Sequence, residues 1–492
     1  MTSRCRMHAC TASGIMGEAR VLNVVDMAVR SAVGGRGPAA IAFPIDIQSG
    51  EAVTGDRSIK NVEGHSAVAA LDGRRIPPRE RVEEAARILS GASKPLIFIG
   101  AGARGAGEEV ERVAEKLGAP IVKAMLGNDA VPDDSPHCLG GYAMVGTRPA
   151  QNALSGCDAI LIVGSSSPYI EFLPAPGQAV GVQIDDRPER TGLRYPVEVG
   201  LCGDAKLTLG ELEPLLETRS DRSFLEQAQA QMRDWRALEA QRAEPVDGHL
   251  IKPDAIPYHP GTDHVPSRDP VRRLGHGDDV GGADRAASGA AVLVQRHDVL
   301  DDGRAAVRDR RAGCLPGPPG GGADRRRLAD HDDGRAGHAA QHELPVKVVV
   351  MRNDVLGLIK WEQMAFLGNP QYGVELAPVD FVKVAEACGL RGVRIEDPAR
   401  AGGQLAEALN ADGPTVIEAI VDPHDMPMTP TINPEHAKGF AWRLAQGQPN
   451  REQIALTMSR VLAREMEYAS SPAGVLARAK EKLPGGGNGH HG

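Results

Sequence analysis

Several groups of residues carry types and spacings that chemistry can use. Met351-Arg-Asn-Asp-Val-Leu-Gly357 sets an amide and a carboxylate at the end of an apolar run, just before a helical pattern. A strand-to-helix turn of this kind can offer oxygen donors and backbone N–H groups to a phosphate held by a hard cation. Equally, Asn353 and Asp354 can do no more than cap the helix that follows. Gly100-Ala-Gly-Ala-Arg-Gly105 follows a strand and opens a helix, as a dinucleotide-binding fingerprint does. That reading wants an acidic residue at the end of the next strand to meet ribose hydroxyls. Pro120-Ile-Val-Lys-Ala-Met125 carries none, and Asp129 comes late. Gly146-Thr147, Val163-Gly-Ser-Ser-Ser-Pro-Tyr169 and Val182-Gln-Ile-Asp185 complete the set, and Asp185 can either cap the next turn or meet a ligand.

The elements that must position these residues read as α/β. A helical pattern over Val21 to Val29 leads to a strand over Ala39–Asp46, and a polar linker over 51–79 leads to a helix from Arg79 to Leu89. Strands follow at Pro95–Gly100, Pro120–Lys123, Ala159–Gly164 and Ala179–Asp185. Short continuous apolar runs alternating with helices predict a parallel sheet covered on both faces. A second series occupies the far end: a strand over Leu344–Asn353, a helix through Trp361, a helix from Asp380 to Cys388 and a strand over Pro414–Val421. A helix over 451–467 and a disordered tail over 471–492 close the chain.

At 492 residues the chain has room for two or three domains. A net charge of −9 argues against a nucleic-acid partner, because phosphate binding wants a basic surface. The seven cysteines include no C-x-x-C pair, which points away from a zinc site or disulfide framework and toward a reducing, cytoplasmic setting. No apolar run reaches the roughly 18 residues of a membrane span, and the opening lacks the apolar core of a signal peptide.

One stretch departs from this pattern. From Val265 to His338 there is no Lys, Glu, Ile, Met, Phe, Tyr, Trp, Asn or Thr, while Arg, Asp, Gly and Ala crowd together. Disordered segments are ordinarily rich in Glu and Lys, so translation of GC-rich DNA in the wrong frame is an alternative. Each residue can be read as the last base of one codon and the first two of the next. Asp330–His338 then decodes as Thr-Met-Thr-Met-Gly-Glu-Leu-Ala, and Asp324–Arg327 becomes compatible with Ile-Gly-Asp-Gly.

The hidden Gly-Asp-Gly, followed at the right distance by Asn353, resembles the metal-binding stretch of the thiamine-diphosphate-dependent enzymes, the pyruvate oxidase, quinone-linked pyruvate dehydrogenase and acetolactate synthase group. Gly37-Pro-Ala-Ala-Ile-Ala-Phe-Pro-Ile-Asp-Ile-Gln48 resembles the closing strand of that family's pyrimidine-binding domain. The stretch from Lys94 to Leu216 is similar to its central domain, and Phe366–Gly373 and His436–Phe440 to its cofactor domain. The resemblance implies a truncated pyrimidine-binding domain at 1–60, a Rossmann-like central domain at 78–217 and a damaged diphosphate-binding domain at 246–470, with 265–338 off-frame and disordered. It implies thiamine diphosphate and Mg²⁺, with Asn353 and Val355 as metal ligands and Asp354, Leu356, Gly357, Leu358 and Ile359 beside the cofactor. In the oxidase and acetolactate branches it implies FAD along Gly146, Thr147, Gly164, Ser165, Ser166, Ser167, Pro168 and Asp185. The substrate would be a 2-oxo acid such as pyruvate, and the assembly a homodimer or homotetramer.

This chain departs from the family pattern at two functional points. The first domain begins near its end, and neither Glu18 nor Glu51 lies in text matching the glutamate that activates the aminopyrimidine. The metal-binding aspartate is replaced by Arg-rich sequence, which repels a dication. No catalytic residue is assigned, and turnover is expected to fail. The remaining alternatives are an NAD-dependent dehydrogenase using Gly100, Gly102 and Gly105, and a non-catalytic remnant.

Overall fold

The structure, a computed structural model, describes residues 11–15, 21–34, 37–50, 73–143, 146–245, 250–253, 255–258, 284–285, 291–296, 337, 339–344, 346–361, 363 and 371–425. The chain divides into a unit over Met1–Ile76 and a second over Pro77–Gly492.

In the first unit, strands β1 (Thr11–Gly14) and β2 (Ala39–Ala42) pair in parallel, with helix α1 (Val21–Gly34) between them. The chain leaves β2 earlier than the sequence suggests. The expected strand to Asp46 stops at Ala42, and Ile45–Gln48 is a helical turn, α2, entered from the extended Pro44. Proline's fixed φ and missing N–H suit it to that helix-entry position.

The second unit holds two sheets, one wholly parallel and one mixed. The first is built from β3 (Pro95–Ile99), β4 (Ile121–Lys123), β5 (Cys138–Gly141), β6 (Ala159–Val163), β7 (Val180–Asp185) and β8 (Val199–Cys202), in the order β5-β4-β3-β6-β7-β8. All its pairings are parallel. Its helices are α3 (Arg79–Gly91), α4 (Gly107–Leu117), α5 (Arg148–Gly156) and α6 (Ala205–Leu212), and the long α7 (Ser223–Ala243) follows. Val82, Ala85, Ala86 and Leu89 of α3 recur at helical spacing and bury against one face of the sheet with Ile97, Leu161 and Val182. The opposite face carries Leu96, Phe98, Ile160 and Ile162 under Ala150, Ala153 and Leu154 of α5 and Ala228 of α7. Every residue of β3 and β6 is buried, as the unbroken apolar runs require.

Three of the missed strands, β5, β8 and β1, lie at a sheet edge or in the two-stranded pair. Each is four residues long and interrupted by glycine or small polar residues, so none shows an apolar run.

After α8 (Ala255–Tyr258), the second sheet has the order β12-β13-β11-β10-β9. It contains β9 (Asp284–Arg285), β10 (Ala291–Arg296), β11 (Val346–Arg352), β12 (Arg391–Ile395) and β13 (Thr415–Ile420), with α9 (Gly357–Trp361), α10 (Phe381–Ala387) and α11 (Ala401–Asn410). Among the described strands of this sheet, β9–β10 is the antiparallel pairing and the others are parallel. β10 falls within 265–338, the stretch expected to be disordered. Its Ala-Val-Leu-Val is the apolar run of that stretch, and over these six residues the chain forms a strand in register with β11. The rest of that stretch apart from 284–285 and 337, the helix expected at 451–467 and the tail at 471–492 lie outside the described residues.

Candidate functional site

β11 runs up the middle of the second sheet and ends at Arg352, so the chain must turn at the carboxyl edge of the strands, where open parallel sheets bind ligands. Asn353 Oδ1 accepts from Val355 N at 3.2 Å and closes the turn. Asp354 sits at φ 55°, in the left-handed region that aspartate tolerates better than most residues. The turn is stitched to a neighbouring segment: Leu356 N donates to Val374 O at 2.7 Å and Leu376 N to Asp354 O at 3.0 Å. Val355 and Gly357 are buried, Asn353, Asp354 and Leu356 half-buried, and Ile359 exposed. Leu358 belongs to α9 by its backbone.

The expected ligand set can be tested on this geometry. Asn353 has a second lone pair on its amide oxygen, and Val355 a backbone carbonyl, so two neutral oxygens suit a hard cation. Asp354 does not add a free carboxylate, because Arg352 Nε holds its two oxygens at 3.0 and 3.2 Å. Among the described residues no group of three or more His, Cys, Asp or Glu side chains could hold a metal ion. The turn therefore fits the neutral part of a Mg²⁺ site.

Sequence reasoning missed the charged residues behind this turn. Glu418 of β13 is fully buried, and it accepts from Arg352 at 2.7 Å and Arg394 at 2.8 Å. A lone glutamate inside Thr-Val-Ile-Glu-Ala-Ile was the available signal, since a buried carboxylate must find cations. On α9, Lys360 is 2% exposed, donates to Pro423 O at 3.2 Å and lies 3.3 Å from His424 Nδ1. Burial pushes the pKa of both groups down, and the neighbouring Lys360 lowers that of His424 further.

The second group of expected residues gathers at the carboxyl edge of the first sheet. Its order reverses between β3 and β6, which opens a crevice there. Gly100 and Gly102, after β3, meet Gly164, after β6, backbone to backbone: Gly102 N donates to Gly164 O at 3.0 Å. A Cβ on Gly102 would stand 2.7 Å from Gly164 Cα, and one on Gly164, itself at φ 58°, 2.4 Å from Gly102 Cα. Gly100, Gly102 and Gly164 are thus required by the contact between two loops, and Gly105 by its left-handed φ of 81°, needs that a pyrophosphate does not have to explain. β4 ends in Lys123, which is ion-paired with Asp133, and Asp129 is paired with Arg104 at 2.6 Å. The dehydrogenase reading loses its ribose-binding acid.

Thr147 caps α5 through Ala150 N and donates to Leu139 O, so its hydroxyl already has partners. Tyr142 and Ser167 share a hydrogen bond that links the Gly146 turn to the Gly164–Pro168 loop. Asp185 ends β7 at 3% exposure, with Oδ1 accepting from Arg187 N at 3.1 Å. Its Oδ2 is buried without a partner, and burial pushes its pKa upward.

Residues 82–212 match the thiamine pyrophosphate enzyme central domain, and residues 334–419 the C-terminal TPP binding domain of the same enzymes. The Bacillus subtilis protein YdaP, described as thiamine pyrophosphate-containing, is 29% identical over 85% of this chain and 71% of its own length. Pyruvate oxidase of Lactiplantibacillus plantarum is 26% identical over 81% of this chain and 66% of its own length. A 4-hydroxybenzoylformate decarboxylase structure from Rhodococcus jostii aligns with a TM-score of 0.55 at 17% identity, covering 84% of this chain and 76% of that one, which shows a shared fold. The chain thus spans about two thirds to three quarters of these proteins. Among the described residues no helix is long and apolar enough to cross a membrane.

Proposed function

We propose that this chain, which matches the central and C-terminal TPP binding domains of the thiamine pyrophosphate enzymes over residues 82–212 and 334–419, is an impaired 2-oxo acid enzyme of the pyruvate oxidase and acetolactate synthase type. The observation that carries the reading is the Asn353–Val355 turn, closed by its own Asx hydrogen bond at the carboxyl end of β11. Asn353 Oδ1 and the Val355 carbonyl would hold Mg²⁺, and Gly357, having no side chain, lets the backbone approach the diphosphate. When bound, thiamine diphosphate supplies the carbanion chemistry that removes CO2 from a 2-oxo acid. The impairment follows from the donor set. A divalent ion favours carboxylate, and the carboxylate beside this turn, Asp354, is engaged by Arg352.

In the central domain, proposed to span 78–217, the crevice between β3 and β6 would take FAD. The partnerless Oδ2 of Asp185 supports a hydroxyl-bearing ligand there. Gly146, Gly164, Ser165, Ser166 and Pro168 would line it, with Thr147 and Ser167 contributing backbone. By its cysteine usage the setting would be cytoplasmic, and by resemblance the assembly would be a homodimer or homotetramer.

Calorimetric titration with thiamine diphosphate and Mg²⁺, paired with a CO2-release assay on pyruvate, tests the proposal. The expected result is weak, Mg²⁺-dependent binding abolished by Asn353→Ala, with no CO2 above a no-enzyme control. A chain with the frame restored over 265–338 should bind thiamine diphosphate and Mg²⁺ more tightly. Turnover by the chain as it stands, or binding indifferent to Asn353→Ala, would overturn the reading.

A further inference from the structure

Behind the turn, β13 and the two strands that flank it, β12 and β11, bring three charged side chains, Glu418, Arg394 and Arg352, together on one face. Alternation along β13 puts Thr415, Ile417 and Ala419 toward the apolar core and Glu418 on the opposite face, beside Val350 of β11 and Arg394 of β12 in register. There Glu418 Oε1 receives Arg352 Nη1 at 2.7 Å and Oε2 receives Arg394 Nε at 2.8 Å. Arg394 also reaches Asp380 at 2.6 Å, which fixes the start of α10, and Arg352 Nη1 donates to Val379 O at 3.2 Å. The guanidinium of Arg352 is thereby anchored, and its Nε is left to hold both oxygens of Asp354.

Asp354 is the residue of the turn whose backbone is left-handed, at φ 55°. A residue with a Cβ resists that conformation unless its surroundings over-determine it. The surroundings here are the Asx bond from Val355 N to Asn353 and the grip of Arg352 on the Asp354 carboxylate. We infer that Glu418 and Arg352 are positioning residues that hold Asp354 left-handed and so aim the Asn353 and Val355 oxygens in one direction. Glu418 acts through Arg352, and neither side chain needs to touch a ligand. The inference deepens the proposed function, since it rests on that turn being the metal and diphosphate site.

A glycine at position 354 provides the decisive comparison, because glycine adopts φ near 55° without help. Full-length chains carrying Arg352→Met, Asp354→Gly and both substitutions are compared by hydrogen exchange at the Val355, Leu356 and Leu376 amides and by titration with Mg²⁺ and thiamine diphosphate. Arg352→Met should speed exchange at these amides about tenfold, the scale of a left-handed non-glycine penalty, and weaken binding in proportion. The double variant should recover to within about threefold of the parent. A purely structural role for Arg352 would leave the double variant as impaired as the single. Arg352→Lys keeps a cation beside Glu418 yet cannot fork between two carboxylates, so it gives the same readout should the methionine variant fail to fold. Unchanged exchange in both Arg352 variants, or no recovery with glycine, would overturn the inference. Absence of Mg²⁺-dependent binding in the parent chain would instead overturn the cofactor reading, and the exchange rates would still decide the role of Arg352.

Discussion

The two sheets of the second unit solve one architectural problem by different means. The first is apolar on both faces: Ile97, Leu161 and Val182 pack under α3, α4 and α6, and Phe98, Ile160 and Ile162 under α5 and α7. The second has an apolar face built from Val349, Met351, Ile417 and Ala419, while its other face buries Glu418 between arginines and the strands β10 and β9 at one side come from compositionally aberrant sequence. Burial of apolar area is non-directional and tolerates small shifts, whereas a buried ion set holds only when each partner is in place. The first sheet therefore depends on volume, and the second on charge geometry near the very turn proposed to bind the cofactor.

The largest expected effect tests that contrast directly. Leu161→Ala, at the centre of the two-faced core, should lower stability by about 2–5 kcal/mol, and Leu405→Ala, on α11 over the one-faced core, should fall at the low end of that range. Urea unfolding followed by amide exchange within each sheet measures both, and equal losses would break the comparison. A smaller effect is expected at Gly164. Alanine there meets both the left-handed φ of 58° and Gly102 Cα at 2.4 Å, so a loss of about 2–3 kcal/mol should appear as a lower melting temperature. A melting temperature like the parent's would mean the loops separate easily.

The smallest effect concerns pH. Burial raises the folded-state pKa of Asp185 above its unfolded value, so the folded state binds the proton more tightly. The contribution to stability is full below the ordinary carboxyl pKa and is lost as pH rises through the raised folded value. The parent should therefore lose stability relative to Asp185→Asn as pH rises above the ordinary carboxyl value of about 4. Parallel stability curves for the two chains would place the Asp185 carboxylate in contact with water or a cation instead.

Legibility in the sequence followed burial. β3, β6, β7, β11 and β13 are central strands whose apolar runs declared themselves, and both strand-end loops of the first sheet were visible as glycine and serine clusters. β5, β8 and β12 are edge or near-edge strands, half-exposed and short, and a strand with one wet side leaves no unbroken run to find. The turn at Asn353 was legible because its residues are adjacent in the chain. The Glu418–Arg352–Arg394 set was not, since its members come from three strands and meet only through parallel register. The glycines at 100 and 102 were legible as a pattern and misleading as a function, because spacing alone does not say whether a missing Cβ admits a ligand or another stretch of backbone.

That contact between Gly102 and Gly164 also sets how the crevice floor can move. Most loop pairs are separated by side chains, which swing between rotamers in nanoseconds and let the loops breathe independently. Here main chain lies against main chain, with Gly102 N bonded to Gly164 O and Gly100 N to Val163 O. No soft layer exists to absorb a displacement. The two loops must travel as a single body, and parting them requires a local unfolding step with broken peptide hydrogen bonds, on a far slower clock than side-chain motion.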